Sequence, residues 1–292
     1  MLQPSEKTYL LIGTVTKDLL PDGGYTTGGT VTYAGAMAKR LGWRPVIVTA
    51  AAADFAPPAH LADAEWRIAS SPATTTFVNE YTPQGRRQTI GPIARSIEVD
   101  DIPPQYYQAP IVHICPLAQD VKPAVIDLFD SALLVTTLQG WLRQWDAEGL
   151  VSMGDWRQIC DLVPEFDAVV LSDEDIQYKE SIAEVLAAKA PVLAVTQGQA
   201  GCTIFNKATS FPSPPRPATP LDPTGAGDVF AAAFFIRYHE TKDLQQAAHF
   251  ANVAASMAIE RPGPAGVPSR EEILAYQRSA SQRSASQRSA KS

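Results

Sequence analysis

Asp222-Pro-Thr-Gly-Ala-Gly-Asp228 runs directly into Val229-Phe-Ala-Ala-Ala-Phe-Phe-Ile-Arg237, so a turn of small residues opens an apolar helix with a carboxylate at the junction. Gly225, Ala226 and Gly227 leave backbone N–H groups uncovered where a helix has unpaired donors and a partial positive charge. Such a terminus binds anions, phosphate included. Asp228 does not suit a site that only holds an anion, because it would repel one. It suits a site in which a carboxylate takes the proton of an attacking hydroxyl while the N–H groups stabilise charge on the group transferred. The chemistry indicated is phosphoryl transfer to an alcohol, with Asp228 as general base and Gly225, Ala226 and Gly227 as the anion hole. Taken alone, the four residues 225–228 also fit ordinary helix capping. Their meaning depends on what surrounds them.

The elements that must position this turn follow from apolar runs. Thr8–Gly13 predicts a buried strand closed by glycine, residues 31–41 a helix, and residues 45–50 the next strand. Further short apolar runs lie at 111–115, 133–136, 168–171 and 192–196, with helical stretches at about 121–130, 157–163 and 180–189. Strands alternating with helices predict an α/β fold, a mostly parallel sheet with helices on both faces. Ligands of such sheets bind beyond the C-terminal ends of the strands. The segments 13–18, 196–201 and 222–228 each follow a strand-like run and can converge there. Residues 74–91 read instead as a β-hairpin turning at 83–85. With residues around 24–29 it forms a small β-lid over the substrate, which would keep water from the phosphate, or else a plain edge hairpin. Residues 225–238 and 243–260 predict two helices and 270–276 a short last one. The repeat Gln-Arg-Ser-Ala-Ser, starting at 277, 282 and 287, predicts a disordered tail over 277–292, outside a domain of residues 1–276.

Composition limits the partners. The formal net charge is −7; residues 277–292 hold four positive charges and no acid, leaving 20 basic against 31 acidic residues in the body. Such a body argues against nucleic-acid binding. The three cysteines (Cys115, Cys160, Cys202) and four histidines have no metal-site or disulfide spacing. There is no signal-peptide-like apolar region and no apolar run of about 18–20 residues, so the expectation is a soluble, cytoplasmic protein with no membrane partner.

The run 222–230 resembles the C-terminal signature of the PfkB/ribokinase family of sugar and nucleoside kinases, Asp-Thr-x-Gly-Ala-Gly-Asp-x-Phe, with Pro223 in the second position. Gly28-Gly29 followed by Leu41-Gly42 is similar to the family's N-terminal signature, and Ile12-Gly13 followed by Asp18 to its first strand and substrate-binding Asp. Thr196-Gln-Gly198-Gln-Ala-Gly201 is similar to its nucleotide loop, and Ala251-Asn252 through Gly263 to its last helix near the adenine. The matches keep family order across roughly residues 9–276. The resemblance implies a ribokinase-like kinase domain using ATP and Mg2+, with K+ a candidate for a cation loop that includes Asp222. It implies Asp18, Gly28, Gly29 and Tyr33 on the substrate side and Thr196, Gly198, Gly201 and Asn252 on the nucleotide side. Asp222 reads equally as an Asx-turn.

Departures bear on this. Tyr33 stands where the family usually has a sugar-facing Asn, and it is either a hydrogen-bonding or stacking group or core filler. The family's Asn-x-x-Glu is here Ser172-Asp-Glu-Asp175, leaving Asp175 as a magnesium candidate acting through water. Arg143, in Gln139-Gly-Trp-Leu-Arg143, is either a clamp on ATP phosphates or a surface charge. Tyr33 and the short lid point away from typical ribokinases, and Gly28-Gly-Thr-Val-Thr-Tyr33 and Gln139-Gly-Trp-Leu-Arg143 look closer to the myo-inositol-kinase-like branch. The expected activity is ATP-dependent phosphorylation of a small neutral sugar or polyol, with a homodimer through exposed lid strands. Its rivals are a nucleoside kinase and a non-catalytic relative that binds partners.

Overall fold

The computed structural model describes residues 7–82, 85–130, 132–207 and 209–289. In order, the chain passes through β1 (Thr8–Ile12), β2 (Thr16–Leu19), β3 (Tyr25–Gly28), α1 (Thr30–Arg40), β4 (Arg44–Ala51), β5 (Glu65–Ser70), β6 (Thr75–Thr82), β7 (Gly85–Ile90), β8 (Ile111–Ile114), β9 (Leu133–Thr137), α2 (Gln139–Leu142), β10 (Arg143–Trp145), β11 (Val151–Met153), β12 (Ala168–Ser172), α3 (Glu180–Lys189), β13 (Leu193–Thr196), β14 (Cys202–Asn206), β15 (Thr209–Ser213), α4 (Ala226–Thr241), α5 (Leu244–Ala258) and α6 (Arg270–Ser289).

β1 is buried at all five positions. A strand with no exposed face belongs in the middle of a sheet covered on both sides. It lies there, in a nine-stranded sheet of order β15-β14-β13-β12-β9-β8-β1-β4-β5. Every pairing from β13 to β5 is parallel; β14 and β15 add an antiparallel edge. Alternate residues serve opposite faces. Tyr9 and Leu11 join the core under α1, α4 and α5, whereas Leu10 and Ile12 join the core on the other face, under α3 and short 3-10 turns. α4 is buried from Val229 to Ile236, because it lies between α1, α5 and the sheet. The expected α/β architecture with helices on both faces is present.

Four strands form a second, smaller sheet where the lid is expected, in order β3-β2-β6-β7. The hairpin expected at 74–91 is β6 and β7, and the 24–29 segment is β3; Pro83 and Gln84 at the turn lie outside the described residues. β2 was missed by the sequence reading. It pairs in parallel with β6 and antiparallel with β3, which places Asp18 in the lid itself.

Three other expectations need correction. The stretch 121–130 holds only a 3-10 helix, Pro123–Leu128, and 157–163 holds two 3-10 turns, Trp156–Ile159 and Val163–Glu165. The last helix does not stop at 276. It continues to Ser289, through most of the segment expected to be disordered, and no Gly or Pro interrupts it. Among the described residues no helix is long and apolar enough to cross a membrane.

Candidate active site

The glycine-rich turn sits where the parallel strands end. Gly225 caps α4 in the left-handed conformation, φ 74° and ψ 5°, which glycine adopts without steric cost. Gly225 also has no room for a side chain: an added Cβ would lie 2.5 Å from Tyr33 Cε1 and closer still to Cγ and Cδ1. The Tyr33 ring, in the first turn of α1 and only 7% exposed, therefore packs directly on the turn. The Tyr33 ring thus lies against Gly225, a packing that fits its reading as core filler. Gly227 is the opposite case. It is exposed, and a Cβ there would meet nothing within 4 Å. The N–H-bearing turn is thus supported from below by Tyr33 and open above.

Asp228 follows in the first turn of α4 and is half-buried. Its neighbour is Cys115, directly after β8. Burial pushes the Cys115 thiol well up, and the negative charges of Asp228 and Asp120 push it further. Cys115 Sγ donates to the Ile12 carbonyl oxygen, and its own carbonyl lies against the Cα of Gly13, which ends β1. Asp228 thereby stands at the C-terminal edge of β8 and β1, the place expected for a ligand of a parallel sheet.

Asp120, 1% exposed, was not singled out from the sequence. It accepts from Leu117 N at 2.7 Å, Ala118 N at 3.1 Å, Thr14 N at 3.2 Å and the Thr14 hydroxyl. One buried carboxylate so ties the loop leaving β1 to the loop leaving β8, with the hydrogen bonds a buried charge requires. Thr137 Oγ1, at the end of β9, is buried with no hydrogen-bond partner among the described residues.

On the lid, Thr16 Oγ1 donates to Asp18 Oδ1 at 3.0 Å. Gly28 lies opposite, and an added Cβ there would come within 2.9 Å of Asp18 Cγ. Gly28 is therefore small so that the Asp18 carboxylate can lie across β3. Gly29, φ 90°, caps α1 and approaches the Thr14 carbonyl oxygen. Lys17, on the other face of β2, pairs with Asp54 at 2.8 Å and links the lid to the loop after β4.

Arg143 is buried. Gly140 packs against the Pro116–Leu117 peptide, Trp141 Nε1 donates to the Val121 carbonyl at 3.1 Å, and Arg143 Nη1 donates to the Leu117 carbonyl at 3.1 Å. The residues 139–143 thus clasp the loop after β8. The Arg143 guanidinium lies 5.3 Å over the Phe77 ring of β6, at the base of the lid. The surface-charge reading of Arg143 gives way to this buried position.

The nucleotide-side candidates divide. Thr196 ends β13, and Gly198 and Gly201, φ 51° and 89°, shape the tight turn into β14; space beside Gly198 is open, whereas Gly201 is covered by Ser213 and Pro215. Asn252 is 4% exposed, and its Nδ2 donates to Ser213 O at 2.8 Å and Ser213 Oγ at 3.1 Å. It joins α5 to β15. Asp222 forms the Asx-turn, accepting from Thr224 N at 3.0 Å, and its other oxygen accepts from Gly263 N at 2.9 Å. Asp175 accepts from Ser172 N at 3.0 Å and Gln139 Nε2 at 3.2 Å. Among the described residues no group of three or more His, Cys, Asp or Glu could hold a metal. The turn fits the phosphates of a donor; a metal there would be held by those phosphates and water rather than by a protein cage.

Residues 152–270 match the pfkB family carbohydrate kinase. The chain is similar to the ribokinase of Bacillus subtilis, 38% identical over 94 residues, 32% of each chain. It is also similar to the inositol 3-kinase of Arabidopsis thaliana, 36% identical over 69 residues, which cover 24% of this chain and 20% of that one. The chain thus spans about a third or less of the length of these two curated relatives. Among solved structures it matches the fructokinase of Xylella fastidiosa with bound ATP, at TM-score 0.75 and 16% identity over 95% of this chain and 100% of that one. A pyrophosphate-dependent kinase in the ribokinase family, complexed with a pyrophosphate analogue and myo-inositol, matches at TM-score 0.75 and 22% identity, over 91% and 98%.

Proposed function

We propose that the chain is a member of the pfkB family of carbohydrate kinases, whose model its residues 152–270 match, and that it transfers the γ-phosphate of ATP to a hydroxyl of a small neutral sugar or polyol. The observation that carries this reading is the open, N–H-bearing turn at Gly225–Gly227 with Asp228 one step along the same helix, at the C-terminal edge of the parallel sheet. The acceptor oxygen bonds to the γ-phosphorus as the bridge to the β-phosphate breaks, and the acceptor's proton passes to Asp228. The N–H groups of 225–227 donate to charge on the group in transit. Mg2+ carried by the donor phosphates would neutralise part of that charge. The lid, with Asp18 on it, covers the acceptor and excludes water. The lid's outer face exposes Tyr25, Leu19 and Val78 in one cross-strand row, which suits pairing with a second copy of the chain.

A coupled ADP-release screen over pentoses, hexoses, inositols and nucleosides tests the proposal, with pyrophosphate run as a second donor. Turnover with a sugar or polyol, lost in a folded Asp228→Asn variant, supports it. Preference for nucleosides replaces the acceptor class. Absence of turnover across the panel, with the protein folded, refutes it in favour of a binding protein.

A further inference from the structure

Both edges of the small sheet are tied to the body. The β3 edge runs straight into α1, since Gly28 ends the strand and Gly29 caps the helix. The β7 edge would otherwise present unpaired backbone groups. There Ile90 N donates to the Gly149 carbonyl oxygen at 2.8 Å, and Thr89 pairs antiparallel with Leu150. Gly149 is so close that an added Cβ would strike the Ile90 carbonyl oxygen. The partner of β7 is thus the hairpin of β10 and β11.

This hairpin is itself held at its base. Gly154 N donates to the Leu142 carbonyl at 2.7 Å and closes it. Gln119 Nε2 donates to the Arg143 carbonyl at 2.6 Å, which with the Arg143–Leu117 bond fastens the first strand to the loop after β8. At the tip, Asp146 Oδ1 accepts from Leu150 N at 2.7 Å and Glu148 N at 3.1 Å, which shapes the turn that meets β7. Trp145 and Val151 pack on the cluster of Phe77, Ile90, Leu117 and Ala118, so apolar contact fills the space between hairpin, sheet and body.

We propose that the β10–β11 hairpin is a strap that holds the small sheet in place, so that ligands exchange without the sheet swinging away from the body. The strap is read from these contacts alone; only its consequence for turnover rests on the kinase reading above. To swing, the sheet would have to expose Phe77 and Ile90, now 2% and 5% exposed, and leave the Ile90 N–H without its acceptor. Segments that open readily have few buried apolar contacts and solvent-exposed backbone hydrogen bonds. This edge has the reverse of both.

The Thr89–Leu150 pair permits a direct test. The backbone bond beside it runs from Ile90 to Gly149, so the two residues form a non-hydrogen-bonded pair. Such pairs stand about 4.5 Å apart at Cα, within the range of about 4.4–6.8 Å that a disulfide spans. Thr89 shares its face with Val78, opposite to the face of Phe77 and Asp18, so a link there leaves the Asp18 side untouched. The double variant Thr89→Cys, Leu150→Cys is oxidised with diamide, with the wild type treated alike to account for Cys115, Cys160 and Cys202. The expected result is that the link forms and that kcat/KM for an acceptor found in the screen stays within about threefold of the reduced protein. A larger fall that reduction restores overturns the proposal, as does failure of the two thiols to pair.

Hydrogen exchange supplies a readout that needs no turnover. In the ligand-free wild type the Ile90 amide should exchange about 10³-fold or more slower than in an unstructured chain. In Gly149→Ala it should exchange about tenfold or more faster, with Leu11 in β1 unchanged. Should that variant not fold, Asp146→Ala, which loosens the turn, takes its place. An Ile90 rate near that of the free chain, or equal in wild type and variant, overturns the strap. If no acceptor turns over, the kinase reading fails by itself and the exchange rates decide.

Discussion

Gly225→Ala should damage the protein in two separable ways. Gly225 holds φ 74°, and a residue with a Cβ in that conformation costs about 1–2 kcal/mol. The new methyl would also lie 2.5 Å from Tyr33 Cε1, where ordinary contacts are 3.4–4 Å, and an aromatic ring between α1 and α4 cannot swing aside like the end of a flexible chain. Overpacking of this kind costs about 1–3 kcal/mol. The sum is about 2–5 kcal/mol, and only the first part belongs to the backbone. Equilibrium urea unfolding of Gly225→Ala, Tyr33→Ala and the double variant separates them. Tyr33→Ala alone is expensive, at about 3–5 kcal/mol, because it empties a buried ring site. The second substitution should then cost about 1–3 kcal/mol less than it does in the wild type, since the ring it would strike is gone. A Gly225→Ala cost that is equal in both backgrounds would refute the packing of Tyr33 on the turn.

Two further perturbations probe the frame around the site. His113 is fully buried, accepts from or donates to Tyr9 Oη at 3.1 Å, and burial lowers its pKa to about 3. A depressed histidine means that the unfolded chain binds the proton first. Stability should therefore be full above the unfolded value of about 6.5 and decline by several kcal/mol as pH falls towards 3. His113→Gln, which does not titrate, should flatten that part of a plot of urea midpoint against pH, and an unchanged slope would exclude His113 as its origin. Asp120→Ala leaves the N–H groups of Thr14, Leu117 and Ala118 without their acceptor and should cost about 3 kcal/mol or more in the same assay. A loss below about 1 kcal/mol would mean that the two loops do not depend on it.

The parallel sheet was legible because its strands are continuous apolar runs, buried on both faces, and such runs differ from everything around them. β2 was not, since Thr16–Leu19 is three polar residues and one leucine, with no apolar run, and gains its strand only from β3 and β6. The tight turn into α4 at Gly225 could be read from residue types alone, because its need for a glycine is local. The roles of Tyr33, Asn252 and Arg143 could not, for each depends on a partner remote in sequence: Gly225, Ser213 and Phe77. Asp120 gave no sequence signal either, since an isolated Asp in a loop has the same composition whether it binds water or three buried N–H groups. The closing helix was misread from composition, because a polar segment with no Gly or Pro can satisfy its own backbone without burying a face.

The central claim is that Asp228 takes the acceptor's proton beside the Gly225–Gly227 donors. Its most direct test is the kcat of Asp228→Asn, with an acceptor identified in the screen, in a protein whose urea midpoint equals that of the wild type. The amide keeps the shape and cannot accept the proton. The expected result is a fall in kcat of about 10²–10⁴-fold with little change in donor KM; turnover within a few-fold of the wild type would contradict it.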